Sequence, residues 1–118
     1  MITKDDVRIT KGSYNADSKY WYYPEIRKKK HNWLFGDSYW WEHVYAVNYN
    51  TCSAIYKLTS ISPRDEYALQ NFLKECYDWV KYCEEQEDWK LVNHEEYKRV
   101  YDLSQAKRRS YNNNVYFK

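Results

Sequence analysis

Three cysteines and three histidines are the side chains in this chain best suited to nucleophilic or metal-dependent chemistry. Structural zinc sites use closely spaced ligand pairs such as C-x2-C. No such pair occurs among Cys52, Cys76, Cys83, His43 and His94. The glycine-rich loops that cradle phosphates are also excluded, because the only glycines are Gly12 and Gly36. We therefore expect no metal site, no cofactor and no catalytic centre.

Cationic side chains cluster in two places and indicate a different kind of chemistry. The two clusters consist of Arg27, Lys28, Lys29 and Lys30, and of Lys107, Arg108 and Arg109. Basic residues beside aromatic ones are typical of single-stranded nucleic-acid binding, because cations follow the phosphates while bases stack on the rings. The isoelectric point near 8.3 is lower than is usual for such domains. The competing interpretation is a solvated turn whose lysines keep an aromatic protein soluble.

Aromatic residues dominate the composition, with 6 Trp, 15 Tyr and 3 Phe among 118 residues. Many of them alternate along the stretch from Ser38 to Asn50. Large aromatic side chains are frequent in protein interfaces, because they bring much contact area at a small loss of conformational entropy. We predict a protein-interaction surface made of Trp33, Tyr39, Trp40, Trp41, His43 and Tyr45. The alternation does not decide which face of this strand is buried.

The elements that would position these residues begin with strands. Runs rich in aromatic and β-branched residues predict four strands between residues 20 and 60, with the sequences YWYYPEIR, HNWLF, SYWWEHVYAVNY and CSAIYKLTS. Lys28 to Lys30 is expected to form the first turn. Pro24 favours a sheet edge for the first run, because proline donates no hydrogen bond to a ladder. A further short strand is expected at VRIT, residues 7–10.

Two helices are predicted after residue 60, where the hydrophobic period changes. Apolar residues recur at steps of three and four from Leu69 to Cys83, which predicts a helix over about residues 63–87 with Ser62 as its N-cap. A second helix is predicted over about residues 93–110, with Asn93 as its N-cap. The asparagines at 112–114 are expected to end it.

Strands followed by helices predict an α+β fold. We expect an antiparallel β-meander of about four strands over residues 20–60, followed by two helices packed on one face. A chain of 118 residues has the length of one domain, and 2 Gly and 2 Pro leave no linker of the usual composition. We expect a single compact domain over residues 1–118.

The expected compartment is the cytoplasm. No segment has the length and apolar character of a membrane span, and the stretch MITKDDVRIT lacks the features of a signal peptide. The odd number of cysteines favours reduced thiols. Frequent Tyr, Asn, Lys and Ile are typical of AT-rich coding sequences, which favours a low-GC bacterium or its phage as the source. No membrane partner is expected.

These features favour binding over catalysis. We expect a non-enzymatic protein that acts by steric occlusion of a protein partner, for example a nuclease or a nucleoprotein complex. The expected type is a phage or mobile-element inhibitor of a host defence nuclease, of the anti-CRISPR or antirestriction kind, acting in the host cytosol. The alternative is a small single-stranded nucleic-acid-binding module that uses the basic hairpin and exposed sheet aromatics. Self-association of the aromatic surface into a homodimer is a further alternative.

Overall fold

Antiparallel strands and two long helices make up the computed structural model, which describes residues 2–116 and the side chains of residues 2–108. A short 3-10 turn at Lys4–Asp6 precedes the first strand. The strands are β1 (Val7–Tyr14), β2 (Tyr20–Asn32), β3 (Gly36–His43), β4 (Tyr45–Asn48), β5 (Ser53–Tyr56), β6 (Thr59–Ile61) and β7 (Trp89–Val92), and the helices are α1 (Glu66–Glu85) and α2 (His94–Tyr116). The predicted α+β class is confirmed.

The chain divides into two compact units. Unit 1 comprises Met1–Val44 and Lys57–Lys81, and unit 2 comprises Tyr45–Tyr56 and Tyr82–Lys118. Unit 1 contains a sheet with the order β1-β2-β3, in which β6 also pairs with β2. Unit 2 contains a sheet with the order β5-β4-β7. The expectation of a single domain over residues 1–118 stays a prediction.

The central strand of the unit 1 sheet is β2. It pairs with β1 on one side, and on the other side with β6 through residues 20–22 and with β3 through residues 25–32. The prediction that Pro24 marks an edge strand is therefore wrong. Pro24 pairs with Ile9 of β1 and lies between the stretches that β6 and β3 cover. This gap accommodates a residue that has no N–H to donate.

The turn predicted at Lys28 to Lys30 does not form. Strand β2 continues through these lysines to Asn32, and the chain reverses at residues 33–35 instead. Successive side chains of a strand point to opposite faces, and residues 27–32 are exposed to solvent. Each lysine therefore stays hydrated without interrupting the ladder.

The two long aromatic and β-branched runs that follow the turn at residues 33–35 are each divided between the two sheets. The run from Ser38 to Tyr49 breaks at the buried Val44, so that β3 belongs to unit 1 and β4 to unit 2. The next run is divided in the same way into β5 and β6. Strand β7, between the helices, was not predicted. It pairs with β4 through residues 89–92.

The helices begin where side chains cap them. Helix α1 starts three residues later than predicted, because Asp65 and not Ser62 is its cap: Asp65 Oδ1 accepts a hydrogen bond from the Ala68 N–H at 3.0 Å. The predicted N-cap of α2 is confirmed, since Asn93 Oδ1 accepts one from the Glu96 N–H at 2.9 Å. Helix α2 continues through the asparagines at 112–114 and so extends beyond its predicted end.

Apolar residues of both units are buried. The predicted stripe of α1 is confirmed at its most buried positions, Phe72, Cys76, Val80 and Cys83. In unit 2, α2 packs on β4 and β5. Val100 of α2 is buried, and Ala46 and Val47 of β4 are inaccessible to solvent. Among residues 2–116, neither α1 nor α2 contains an apolar stretch of the length that a membrane span requires.

Candidate interaction surface

The most exposed part of unit 1 is the outer half of the β2–β3 hairpin. Residues 27–32 of β2 pair with residues 36–41 of β3, and all of them except Trp41 are exposed. Directly paired residues share a face, so this two-stranded arm presents two different surfaces to solvent. The turn at residues 33–35 forms its tip.

The tip consists of three consecutive apolar residues that are largely exposed to solvent. Trp33, Leu34 and Phe35 expose 83%, 63% and 86% of their surface. Asn32 Oδ1 accepts hydrogen bonds from the N–H groups of Leu34 at 2.8 Å and Phe35 at 3.2 Å. Gly36 follows with φ of +79°, a conformation that glycine adopts without steric cost. The tip is thus a short turn with a defined backbone, as three-residue hairpin loops with a final left-handed residue usually are.

One face of the arm, which we call the ion-paired face, carries two cations and a histidine that already have partners. Lys29 Nζ lies 3.0 Å from Asp37 Oδ2, and His31 Nδ1 lies 2.6 Å from Asp37 Oδ1. The hydrogen bond with His31, followed by that with Lys29, lowers the pKa of Asp37. Arg27 donates to Asp6 Oδ1 from Nη2 at 2.8 Å and from Nε at 3.2 Å. The positive charges of this face are therefore largely compensated.

The aromatic residues of the same face are held under cations or stacked. The Arg27 guanidinium lies 5.3 Å from the centroid of the Tyr39 ring, and the Arg8 guanidinium lies 4.2 Å from that of Trp41. Contacts of this kind stabilise both groups, especially when they are partly desolvated. At the base of the arm the rings of Tyr23 and His43 stack with centroids 4.7 Å apart.

A buried carboxylate fixes the base of the hairpin. Glu25 is 8% exposed and accepts hydrogen bonds from Thr10 Oγ1 and from Arg8, whose Nε and Nη2 lie 2.9 Å and 2.8 Å from Glu25 Oε1. Burial raises the pKa of Glu25, but the hydrogen bonds from Thr10 and Arg8 and the charge of Arg8 outweigh burial and lower it overall. Glu25 is thus a charged structural anchor.

The opposite face of the arm, which we call the lysine face, has uncompensated charge. Lys28 and Lys30 make no ion pair with any residue in the described part of the chain. Trp40, which pairs directly with Lys28, is 40% exposed and donates from Nε1 to Glu42 Oε1 at 2.8 Å. Two free cations thus lie along the arm below the apolar tip.

The remaining predicted site residues lie in unit 2. Tyr45 is half-buried in an aromatic cluster in which its ring centroid lies 5.0 to 5.3 Å from those of Tyr56, His94 and Tyr97. The structure therefore groups Trp33, Tyr39, Trp40, Trp41 and His43 on one hairpin and places Tyr45 in a different sheet. Arg27 to Lys30 also lie on that hairpin, whereas Lys107 and Arg108 lie on α2. The Arg109 side chain lies outside the described residues.

Two tip residues, Leu34 and Phe35, were missed by the predicted interaction set. The prediction assigned them to a strand, because HNWLF is rich in residues that suit a pleated sheet. The signal that could have identified the turn is the pair Asn32 and Gly36, which flank a three-residue loop.

Two of the three thiols are buried, and Glu25 and Glu42 lie on different faces of the unit 1 sheet. Glu25 pairs with His43 and Glu42 pairs with Ile26, so the two carboxylates point to opposite faces of the sheet. Burial raises the pKa of the Cys76 and Cys83 thiols to about 12, which keeps both protonated. Across the described residues, no cluster of three or more His, Cys, Asp or Glu side chains is arranged to hold a metal ion.

Comparison of the chain with protein-family models, with curated proteins and with solved structures finds no match.

Proposed function

We propose that this protein is a non-enzymatic binding protein whose β2–β3 hairpin inserts its tip into an apolar cleft of a protein partner and blocks that cleft sterically. The observation that carries the proposal is the exposure of Trp33, Leu34 and Phe35 at the end of the arm. Three consecutive exposed apolar residues favour aggregation and are rarely found without a binding role.

The free energy available from the tip indicates how the arm is used. Burial of one large apolar side chain contributes about 1.5–3 kcal/mol, so the three tip residues together offer about 5–9 kcal/mol. Association costs at least about 4 kcal/mol in lost translational and rotational freedom. The tip alone supports only weak binding, and a tight complex also requires contacts along the arm.

The arm is organised before it binds. Asp37 holds Lys29 and His31 across the strands, and Asn32 holds the tip backbone. A preformed interface loses less conformational entropy on binding than a flexible one. Little of the binding free energy of the tip is therefore spent on ordering the arm.

The charge of the arm favours a particular type of partner. Lys28 and Lys30 have no ion-pair partner among the described residues, so they favour a cleft with an acidic rim and raise the association rate through electrostatic steering. Nucleases hold their divalent metals with carboxylates, which form such a rim. A phage or mobile-element inhibitor of a host defence nuclease, of the anti-CRISPR or antirestriction type, fits this chemistry and would act in the host cytosol.

The test replaces the three tip residues by serine (Trp33→Ser, Leu34→Ser, Phe35→Ser) and uses Tyr67→Ser as the control. Tyr67 lies on α1 and is 79% exposed, so its replacement removes a comparable apolar group elsewhere in unit 1. Plating of a sensitive phage on cells with an active restriction or CRISPR system measures protection by each variant. The nuclease that the tagged wild-type protein captures from a lysate of those cells is then titrated calorimetrically with each variant.

We expect the tip variant to lose protection and to bind the nuclease at least about 100-fold more weakly, since removal of several interface anchors costs more than about 2.7 kcal/mol. The control should behave as wild type. Equal binding by the tip variant and wild type would contradict the proposal. Binding to anionic vesicles that requires the tip, with no protein captured, would instead assign the hairpin to a membrane surface.

Single-stranded nucleic-acid binding is a second candidate, supported by the lysine face with Lys28, Lys30 and the partly exposed Trp40. Of the hairpin cations, only Lys28 and Lys30 make no ion pair within the described part of the chain. The logarithm of the affinity should therefore fall with the logarithm of the salt concentration with a slope of about −1.4. Lys28→Glu with Lys30→Glu should abolish this binding, whereas Lys19→Glu should not. Unchanged binding to single-stranded DNA and RNA would exclude this candidate.

A further inference from the structure

Unit 2 contains a cavity of about 750 Å³, and we propose that it binds a nucleoside phosphate. The cavity lies between residues 51–55, at the start of β5, and the second half of α2. It belongs to a different unit from the hairpin and does not rest on the function proposed above.

The cavity exists because the side chains on its two walls are small or polar, and not large and apolar. Cys52, Ser53 and Ala54 line the sheet side, and Ser104 and Gln105 line the helix side. An amphipathic helix usually places large apolar residues on the stripe that faces its sheet. On α2 the four stripe positions that follow the buried Val100 are occupied by Tyr101, Ser104, Gln105 and Arg108. The helix therefore leaves space at this end of the sheet.

The charge of the lining selects an anion. Lys107 and Arg108 both line the cavity, and among the residues whose side chains are described no carboxylate does. Neither cation forms an ion pair with any residue whose side chain is described. A guanidinium presents a planar fork of donors that matches phosphate, and a lysine adds a point charge. Each of these two consecutive side chains of α2 can donate to a phosphate bound in the cavity.

The other residues that line the cavity favour a ligand with a flat ring. Trp89 and Tyr101 provide aromatic surface, with Tyr101 43% exposed. Any of the nucleobases can stack on such side chains, because every base has a flat π-face. Thr51, Ser53 and Gln105 add hydroxyl and amide groups able to hydrogen-bond a sugar or a base edge. The volume lies within the usual range for small-molecule sites. A phosphate joined to a heterocyclic ring is the ligand that uses all of these groups.

This arrangement also explains how a nucleotide could be held without a glycine-rich loop. Such loops bind phosphate through consecutive backbone N–H groups. Here the side chains of Lys107 and Arg108 replace them. The ligand is either a free nucleotide or the terminal nucleotide of a strand, since both have the same ring and phosphate.

Isothermal titration calorimetry tests the proposal with AMP and UMP, and with inorganic phosphate and adenosine as the two halves of the ligand. We expect saturable binding of a mononucleotide that is tighter than binding of either half. Lys107→Ala and Arg108→Ala should each weaken it about tenfold or more, because each removes a charged hydrogen-bond partner. Tyr101→Ala should weaken mononucleotide binding and leave phosphate binding unchanged.

Lys98→Ala is the matched control, because Lys98 is an exposed cation of α2 that does not line the cavity. No saturable binding at millimolar nucleotide, an equal effect of the control, or phosphate bound as tightly as AMP would overturn the assignment. Competition by a 5′-phosphorylated oligothymidylate would identify a strand end as the source of the ligand, and its absence would identify a free nucleotide. The serine variant of the tip should bind nucleotide normally, which separates this test from that of the hairpin.

Discussion

The carboxylate at the base of the hairpin provides the most direct test of the forces that hold the arm. Glu25→Gln keeps the size of the side chain and removes its charge. Glu25 is 8% exposed and accepts hydrogen bonds from Thr10 and Arg8. The amide leaves the Arg8 guanidinium without its anionic partner.

The expected loss in the free energy of unfolding is about 2 kcal/mol. Hydrogen bonds to charged groups contribute roughly 1.5–3 kcal/mol, and breaking a fully buried ion pair costs about 3–5 kcal/mol. The lower range applies here, because the side chain of Arg8 is 48% exposed and water partly replaces its lost partner. For a chain of this length, 2 kcal/mol lowers the melting temperature by about 8 °C.

The pH dependence has a defined sign. The pKa of Glu25 in the folded protein is lower than its ordinary value of 4.5. The stabilisation is therefore fully present above that value and is lost as the pH falls through the lowered pKa of the folded state. The difference between wild type and Glu25→Gln should be constant near neutral pH and should shrink below about pH 4.5.

Urea denaturation at several pH values measures this difference, with Glu87→Gln as the control. Glu87 is exposed in the segment between α1 and β7, so its substitution should change the free energy of unfolding by less than about 0.5 kcal/mol. A loss of the same small size for Glu25→Gln, or a difference that does not change down to about pH 3, would refute the account of the network.

Three further predictions concern the turn, the helix cap and the thiols. Gly36→Ala should lower the free energy of unfolding by roughly 1 kcal/mol, because φ is +79° while no atom lies within 4 Å of an added Cβ; denaturation with no loss would contradict this. Asn93→Ala should cost about 1 kcal/mol through loss of the α2 cap, and unchanged stability in the same assay would argue against it. A thiol reagent at about pH 8 should modify the half-exposed Cys52 rapidly, whereas Cys76 and Cys83 should react only after unfolding, since burial raises their pKa to about 12; three fast thiols would show that burial does not protect them.

The sequence alone predicted those elements whose signals lie within a few residues of one another. The apolar stripe of α1, the cap at Asn93 and the α+β class were all predicted and are confirmed. A helix stripe and a cap each depend on residues within one or two turns, so local spacing is sufficient. The exact start of α1 was missed, because Ser62 and Asp65 are both good capping residues.

The chemical character of the candidate site follows from the residue types in a short stretch of the sequence. The grouping of those residues on one arm does not. The aromatic and basic residues from Arg27 to His43 were named from composition, and the structure places them on one arm. Their role in binding stays a prediction. The sequence did not reveal that Lys28 to Lys30 continue a strand, that Leu34 and Phe35 form its tip, or that Tyr45 belongs to another sheet.

These features were decided by pairing between distant segments. A strand's neighbours set its face, its register and the place where it ends, and they come from parts of the chain that short-range patterns do not sample. Pro24 lies in a central strand because β6 and β3 leave a gap beside it, and the run around Val44 is divided because β4 pairs with β5 and β7. The sequence thus determined the class, the helices and the chemistry of the surface, whereas long-range strand pairing determined which of those side chains meet.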